Sequence, residues 1–369
     1  MNEPTTPDGD RIPDAVSPGR PLDDRQLETW SARLEALGAS PSHRDRVLRL
    51  WSQGLPQTHG KRRLEDFLPR RLREALPEVT AGLDGLVQLQ AMHPAADGSA
   101  RMLVALPDGQ TVESVLLPRE GVCVSTQVGC AVGCTFCMTG VGGLQRQLGS
   151  AEIVAQVALA RRHRPVRRVV FMGMGEPSHN LEAVMSAITL LGQLGGVGHK
   201  SLVFSTVGDD RAFQRLPLGP VKPALALSLH STQAERRAQL LPRAPRWEPA
   251  ELVERADAYA RETGYPVQYQ WTLLAGVNDG DDELDGLRRL LAGRFGMLNL
   301  IPWNDVPGLP LRRPDPERAI ALTRALNRAG ILTRLRHSAG QDVDGGCGQL
   351  RARSAPVRVV RRPSGEMAR

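Results

Sequence analysis

The sequence of 369 residues is long enough for one large enzyme domain and a smaller accessory domain. With 41% hydrophobic and 24% charged residues it can bury a sizeable core, which excludes a largely disordered protein. Five cysteines in a chain of this length exclude a disulfide scaffold. The net charge of +7, with only three lysines among 47 basic residues, permits a nucleic-acid partner without establishing one.

The two ends of the chain have biased compositions. Residues 1–28 are rich in Pro, Asp and Gly, with seven acidic residues against three basic ones, and predict a disordered tail. Residues 351–369 carry six arginines and one glutamate and predict a mobile basic tail. We find no signal-peptide pattern and no apolar run long enough to cross a bilayer, so we expect a cytoplasmic protein with reduced thiols.

Residues 29–100 predict an accessory region of helices and a hairpin. Apolar residues recur at helical spacing up to about residue 85, and short alternating runs around Asp108-Gly109 indicate a hairpin between residues 86 and 120. A basic stretch lies within the helical part: Lys61, Arg62, Arg63, Arg70, Arg71 and Arg73. Two interpretations stay open, a solvated helix face and a contact with the RNA backbone.

Beyond residue 121 the pattern changes to alternating strands and helices, and we expect one core domain over residues 101–345. The predicted strands are 122–128, 168–173, 201–206, 223–229, 267–274, 297–301 and 331–336. The predicted helices are 150–162, with Ser150 as N-cap, 180–195, 209–216, 249–263, 281–294 and 315–329. Such alternation indicates an α/β fold with parallel strands, either a barrel or a doubly wound sheet. In a barrel, the chemistry gathers in the loops that follow the strands.

Three cysteines follow the first of these strands with the spacing C-x3-C-x2-C: Cys130, Cys134 and Cys137. Three thiolates in one short loop favour an iron–sulfur cluster or zinc. Zinc would need a fourth ligand, and no second cysteine pair or nearby Cys/His pair supplies one. A four-iron cluster with three ligands would leave one iron open for a substrate or cofactor. Glycines in the same loop fit a close backbone approach to such a cluster: Gly129, Gly133, Gly142 and Gly143.

This cysteine motif resembles that of the radical S-adenosylmethionine (SAM) superfamily, and further segments resemble the RlmN/Cfr-type RNA methyltransferases. The segments are VCVSTQVGCAVGCTFCMTG (122–140), FMGMGEP (171–177), STVG (205–208), ALSLHS (226–231), VND (277–279), NLIPWN (299–304) and DVDGGCGQL (342–350). The resemblance implies a partial (βα) TIM-like barrel, the radical SAM core, behind a small N-terminal helical domain. It also implies a [4Fe-4S] cluster on the three cysteines, with SAM on its open iron.

The same resemblance assigns residues to SAM and to catalysis. The SAM contacts would be Gly175, Glu176, Ser205, Ser228, Leu229, His230 and Asn304. Cys347, in the segment 346–369 of catalytic loop and basic tail, matches the cysteine that first accepts a methyl group, and Cys123 matches its partner. Glu113 matches the glutamate that accepts a proton from the substrate ring, although only ten residues separate it from Cys123. Taken singly, a Ser, Asn or His in a loop is more often structural, and free cysteines often pack as inert thiols.

The chemistry of the family explains the two extra sulfurs. The amidine carbon of adenine is not nucleophilic, so the family uses SAM twice. One SAM methylates the residue matching Cys347, and a second yields a radical that activates this methyl group for addition to the ring. The residue matching Cys123 then releases the RNA adduct through a transient disulfide bond.

The resemblance thus implies an enzyme that methylates an sp2 carbon of adenosine, C2 rather than C8, in 23S ribosomal RNA, with tRNA as a further substrate. It would act as a monomer with an electron donor such as flavodoxin or ferredoxin. Two alternatives stay open: a C8-specific Cfr-type enzyme, and a non-catalytic iron–sulfur or zinc RNA-binding protein. The stretch before Cys347 departs from the family with His337 and Ala339, where another charged residue and an arginine are usual.

Overall fold

The computed structural model describes residues 23–306 and 308–351 of the chain. Its N-terminal part is a packed group of three helices, α1 (Leu27–Ala36), α2 (Pro41–Ser52) and α3 (Arg70–Gly85). Ser40 caps α2 by accepting a hydrogen bond from the His43 backbone N–H, and proline at the first helical position favours the same start. Leucine, valine and tryptophan side chains on the inward faces of these helices are buried in the main core.

Twelve strands and seven more helices follow. The strands are β1 (Gln88–Pro94), β2 (Ala100–Ala105), β3 (Thr111–Leu117), β4 (Gly121–Cys123), β5 (Gln127–Gly129), β6 (Leu144–Gln147), β7 (Arg168–Phe171), β8 (Leu202–Thr206), β9 (Ala224–Ser228), β10 (Val267–Leu273), β11 (Gly296–Pro302) and β12 (Thr333–Leu335). The helices are α4 (Ser150–His163), α5 (Leu181–Gln193), α6 (Asp210–Arg215), α7 (Ala234–Leu240), α8 (Pro249–Thr263), α9 (Asp281–Leu291) and α10 (Pro316–Arg328).

Ten of the strands form one sheet in the order β1-β2-β3-β4-β7-β8-β9-β10-β11-β12, and β5 pairs with β6. Neighbours from β4 to β12 are parallel, whereas β1 to β4 pair antiparallel. Because the parallel strands follow the order of the sequence, right-handed crossovers place their helices on one face of the sheet. This order excludes the doubly wound alternative and gives the partial barrel. The hairpin expected around Asp108-Gly109 is β2–β3.

Several boundaries differ from the sequence-based expectations. The predicted strand 122–128 is wrong, because the chain leaves the sheet after Cys123 and forms the separate strand β5. Helix α1 begins at Leu27, inside the predicted tail, and residues 1–22 and 352–369 lie outside the described residues. The division between residues 100 and 101 falls inside β2. Ser150 is not the N-cap of α4; Gly149 is, and the Ser150 hydroxyl accepts instead from the Leu27 backbone N–H at 2.9 Å.

Four helix predictions also run too long, and one helix lies outside the prediction. Helix α5 ends at Gln193, α9 at Leu291, α10 at Arg328 and α6 at Arg215, where a short 3-10 turn follows α6. Helix α7 was not expected at all. No helix within residues 23–306 and 308–351 has the length and apolar character needed to span a membrane.

Candidate active site

The loop that carries the three motif cysteines is closed at its base by the β5–β6 pair. The Cys130 backbone N–H donates to the Gly143 carbonyl at 3.1 Å. Gly129 has a left-handed backbone, with φ of 76°, and a Cβ atom there would lie 1.9 Å from the Gly143 oxygen. These two glycines therefore allow the two ends of the loop to meet, which is a different role from the cluster approach that we expected of them.

The three thiols lie on one cleft, whose volume is about 870 Å³ and which is open to solvent. Burial raises the pKa of the Cys130 thiol to about 12 and raises the pKa values of Cys134 and Cys137 as well. Among residues 23–306 and 308–351, no three Cys, His, Asp or Glu side chains converge closely enough to hold a single metal ion. Three thiols on the wall of one cleft fit ligands to separate irons of one cluster.

The turn after β7 forms a second wall of this cleft and carries Gly175 and Glu176. Gly175 has φ of 104°, and a Cβ atom there would lie 2.7 Å from the Gln127 side chain. Gln127 Oε1 accepts from the Glu176 backbone N–H at 2.8 Å and so fixes the turn. Sequence reasoning missed Gln127, although it lies within the VCVSTQVGC segment. The turn can only hold this shape with glycine at position 175.

The Glu176 carboxylate is buried and held by its own neighbours. Its Oε1 accepts from the backbone and hydroxyl of Ser178, at 3.1 and 2.7 Å, and its Oε2 accepts from the Val207 backbone N–H at 3.2 Å. Burial raises the pKa of Glu176, although the hydrogen bonds from Ser178 and Thr206 oppose this. An acceptor fixed in this way on the cleft wall can bind a cationic group without reorganising.

Ser205 at the end of β8, Ser228 at the end of β9 and His230 also line the cleft. His230 Nδ1 accepts from the Thr272 backbone N–H at 2.9 Å, so its proton lies on Nε2. Burial, with the charge of Arg237, lowers the pKa of His230 to about 3, which keeps the ring neutral. Leu229 does not line the cleft; its backbone N–H donates to the Gln270 carbonyl at 3.0 Å.

Residues that sequence reasoning did not single out complete the wall. Gln270 and Thr272 on β10 face the cleft, and the Gln270 side-chain oxygen is buried without a hydrogen-bond partner in the structure. Asn278, within the VND segment, donates to the carbonyls of His230 and Thr272 at 2.8 Å each. The VND motif thus holds the His230 turn. Nothing in the periodicity of β10 marked Gln270, because it lies in a continuous buried strand.

Cys347 is exposed and lines the same cleft, in a loop that other parts of the site hold in place. Asn304, after β11, donates to the Cys347 carbonyl at 2.9 Å and to the Ser338 hydroxyl at 3.0 Å. The Gly348 carbonyl accepts from the Met138 backbone N–H at 2.8 Å. Asn304 is therefore adjacent to Cys347, and it is not among the residues that line the cleft.

Cys123 lies behind this cleft and, together with Cys347, lines a second cavity of about 100 Å³. Burial, and to a smaller extent Cys347, raise the pKa of the Cys123 thiol to about 12. The five cysteines all lie in the described part of the chain and all are free thiols, so the expected disulfide bond is not present in this structure.

Glu113, the expected proton acceptor, is fully buried and lines neither cavity. It forms an ion pair with Arg101, and its Oε2 accepts from the Arg351 backbone N–H at 2.9 Å. Nine of the thirteen residues predicted from the sequence thus line one cleft: Cys130, Cys134, Cys137, Gly175, Glu176, Ser205, Ser228, His230 and Cys347. The other four, Cys123, Glu113, Leu229 and Asn304, lie around it.

The chain is similar to known proteins over most of its length. Residues 124–288 match the family model described as the radical SAM superfamily. A probable RNA methyltransferase of Leptothrix cholodnii is 68% identical over 87% of this chain and 92% of its own length. One from Methylibium petroleiphilum is 68% identical over 89% of this chain and 93% of its own. The crystal structure of a radical SAM methyltransferase from Sphaerobacter thermophilus is similar with a TM-score of 0.77, at 35% identity, over 88% of this chain and 97% of that one.

The family model covers the loop of the three motif cysteines, residues 130–143, which we call the cluster loop, and most of the strands whose ends form the cleft. The similarity to the relatives extends over the helical and hairpin region as well. The chain belongs to the radical SAM superfamily and, within it, to the family of these RNA methyltransferases.

Proposed function

We propose that this protein transfers a methyl group from SAM to an sp2 carbon of an adenosine in RNA, with Cys347 as the methyl carrier. The observation that carries the proposal is the shared cavity of Cys123 and Cys347 beside the cleft of the three motif cysteines. Holding a cluster requires neither of these two thiols. Their placement favours an enzyme that uses both thiols in a covalent catalytic cycle, and it counts against a protein in which the iron–sulfur cluster is only structural.

The cleft residues fit the two groups that this chemistry needs. Cys130, Cys134 and Cys137 would hold a [4Fe-4S] cluster, which when bound supplies the electron for reductive cleavage of SAM. Glu176 would accept hydrogen bonds from the ammonium group of SAM, and His230 Nε2–H would donate to its ribose or adenine edge.

The two remaining cysteines would act in sequence. The Cys347 thiol, exposed in the cleft, first takes the methyl group from one SAM as a thioether. The radical from a second SAM would take one hydrogen atom from this methyl group, and its carbon would then bond to the ring carbon of the RNA base. The adduct would give one electron back to the cluster and lose the ring proton. Cys123 then attacks the Cys347 sulfur: the S–S bond forms, the C–S bond breaks, and the carbon leaves with the electron pair and takes up a proton. A thiol reductant must afterwards return the disulfide to two thiols. Burial raises the pKa of the Cys123 thiol to about 12, so this thiol must give up its proton before it attacks.

The RNA target within this proposal is adenosine C2 of 23S ribosomal RNA, with tRNA as a further substrate and C8 as the alternative carbon. The relatives named RNA methyltransferase support RNA as the substrate class. Lys61, Arg62 and Arg63 are exposed on one loop of the helical region, as an RNA-backbone contact requires. Steep weakening of RNA binding with added salt would support this contact, and a flat salt dependence would contradict it.

The test is mass spectrometry of ribosomal and transfer RNA from cells with and without this gene, which identifies the nucleotide and the carbon together. In vitro, the reconstituted protein with SAM and a flavodoxin-type reductant is expected to yield 5′-deoxyadenosine and a methylated Cys347. Cys347→Ala is expected to keep the cluster and lose RNA methylation. If the wild type forms neither product, the non-catalytic alternative is the one that remains. If Cys347→Ala still methylates RNA, Cys347 is not the methyl carrier.

A further inference from the structure

The turn of the β1–β2 hairpin holds the segment that carries Cys347, residues 338–351, which we call the Cys347 loop. The Gly340 backbone N–H donates to Asp97 Oδ2 at 3.0 Å. In the opposite direction, the Ala96 backbone N–H donates to Asp342 Oδ2 at 3.0 Å. The hairpin, which the sequence places beside the accessory region, therefore reaches the loop of the proposed methyl carrier.

Arg101, the second residue of β2, extends this contact to both sides of Cys347. Its Nε donates to the Val343 carbonyl at 2.5 Å, and its Nη1 forms an ion pair with Glu113. Glu113 Oε2 in turn accepts from the Arg351 backbone N–H at 2.9 Å. Val343 and Arg351 lie four residues before and four after the cysteine. One buried ion pair thus holds the loop at two points that are symmetric about its thiol.

The opposite side of the loop rests on the cluster loop. The Met138 backbone N–H donates to the Gly348 carbonyl at 2.8 Å, and the Thr139 hydroxyl donates to the Leu350 carbonyl at 2.6 Å. These contacts set where the loop lies relative to the motif cysteines. The Arg101 contacts set where it lies relative to the sheet.

We propose that Arg101 is a positioning residue that, through Val343 and Glu113, fixes the Cys347 sulfur between the cleft and Cys123. Loss of the guanidinium removes the donor to Val343 and the ion pair with Glu113, which loosens both attachment points together. The Arg101–Glu113 ion pair thus sets the position of the Cys347 loop. It rests on the proposed function only in taking Cys347 as the carrier.

Hydrogen exchange of the full-length protein, measured by mass spectrometry, tests the attachment without RNA. In Arg101→Met, amide exchange across residues 338–351 is expected to accelerate about tenfold, while exchange across β10 stays at the wild-type rate. Arg101→Lys keeps the positive charge but loses the two-pronged geometry of the guanidinium group. Its exchange rate across residues 338–351 is therefore expected to lie between those of the wild type and Arg101→Met. Arg161→Met is a matched control, because Arg161 also bonds backbone carbonyls, those of Ser52 and Val166, away from this loop.

A second measurement separates positioning from general stability. With the reconstituted enzyme, Arg101→Met is expected to lower kcat for RNA methylation about tenfold with KM for RNA within about twofold, and Arg101→Lys is expected to restore part of kcat. If Arg101→Met does not fold, Asp97→Ala, at the hairpin turn, is expected to raise loop exchange about threefold. Wild-type loop exchange in a folded Arg101→Met protein, or in Arg101→Lys where Arg101→Met does not fold, would overturn the proposal.

The two proposals fail in different ways. If the wild-type enzyme never carries a methyl group on Cys347, the proposed function fails, and the exchange data still decide whether Arg101 holds the loop. If wild-type Cys347 is methylated and Arg101→Met leaves both loop exchange and kcat unchanged, only the positioning role is overturned.

Discussion

The side-chain amide of Asn304 donates a hydrogen bond of 2.9 Å to the backbone carbonyl of Cys347, which ties the end of β11 to the loop of the exposed thiol. The preceding residue, Trp303, donates from its indole nitrogen to the Phe136 carbonyl of the cluster loop at 3.0 Å. Two consecutive residues after one strand thus hold the two loops that carry sulfur. Both side chains are buried, so water cannot replace these donors.

Asn304→Asp is expected to weaken this link, because a carboxylate can only accept hydrogen bonds and would face the Cys347 carbonyl. The Cys347 carbonyl would then lose this donor, which costs about 1–3 kcal/mol, and urea denaturation should reveal a loss of unfolding free energy of this size. The same variant should also methylate Cys347 more slowly than the wild type, by intact mass. Unchanged stability in a folded Asn304→Asp protein would mean that the 2.9 Å contact contributes little.

Two glycines, one just before the cluster loop and one within it, offer a matched pair of substitutions. Gly129 and Gly133 both have left-handed backbones, with φ of 76° and 67°, but a Cβ atom meets the Gly143 oxygen only at Gly129; at Gly133 nothing lies within 4 Å. Gly133→Ala should cost about 1–2 kcal/mol, from the backbone alone. Gly129→Ala should cost about 3 kcal/mol or more, because the β5–β6 pair must open.

Iron content after anaerobic reconstitution checks the consequence for the cluster. Gly129→Ala displaces Cys130, which follows it directly, so this variant is expected to bind less than half the wild-type iron, while Gly133→Ala binds about the wild-type amount. Equal iron binding by the two variants would contradict the role of the β5–β6 pair in placing Cys130.

The sequence made the cleft predictable because its residues follow successive parallel strands. Gly175, Ser205, Ser228 and His230 lie at or after strand ends, and the carboxyl ends of parallel strands meet at one edge of a sheet. The alternation of strands and helices, together with the family motifs, was enough to bring them together.

Contacts between distant loops were not predictable in this way. Arg101 and Val343 are 242 residues apart, and no periodicity relates a hairpin residue to a position in a late loop. The matching motif gives the residue type at Glu113 and nothing of its ion pair with Arg101, and the role of Glu113 as a base stays a prediction. The predicted strand 122–128 is wrong because a continuous apolar run does not mark where the chain leaves the sheet.

His230 should make the protein less stable as the pH falls. Its pKa is lowered to about 3 in the folded protein, against about 6.5 in the unfolded chain, so below pH 6.5 the unfolded state takes up a proton that the folded state does not. This difference costs about 2 kcal/mol on going from pH 7.5 to pH 5. The measurement is urea unfolding of wild type and His230→Asn at both pH values. The wild type should lose about 2 kcal/mol more than the variant, and parallel pH dependence would contradict a neutral buried His230.

Cys123→Ala should stop the proposed cycle after the RNA has bonded to Cys347. The variant keeps the three motif cysteines and the carrier thiol, so methylation of Cys347 and attack on the base proceed, but no second sulfur is left to break the C–S bond. We expect a covalent protein–RNA species that survives a denaturing gel and is removed by ribonuclease. The double variant Cys123→Ala/Cys347→Ala is the control and should give no such species. Free RNA that has been methylated at the wild-type rate by Cys123→Ala would contradict the resolving role, since the burial of Cys123 beside Cys347 would then serve packing alone.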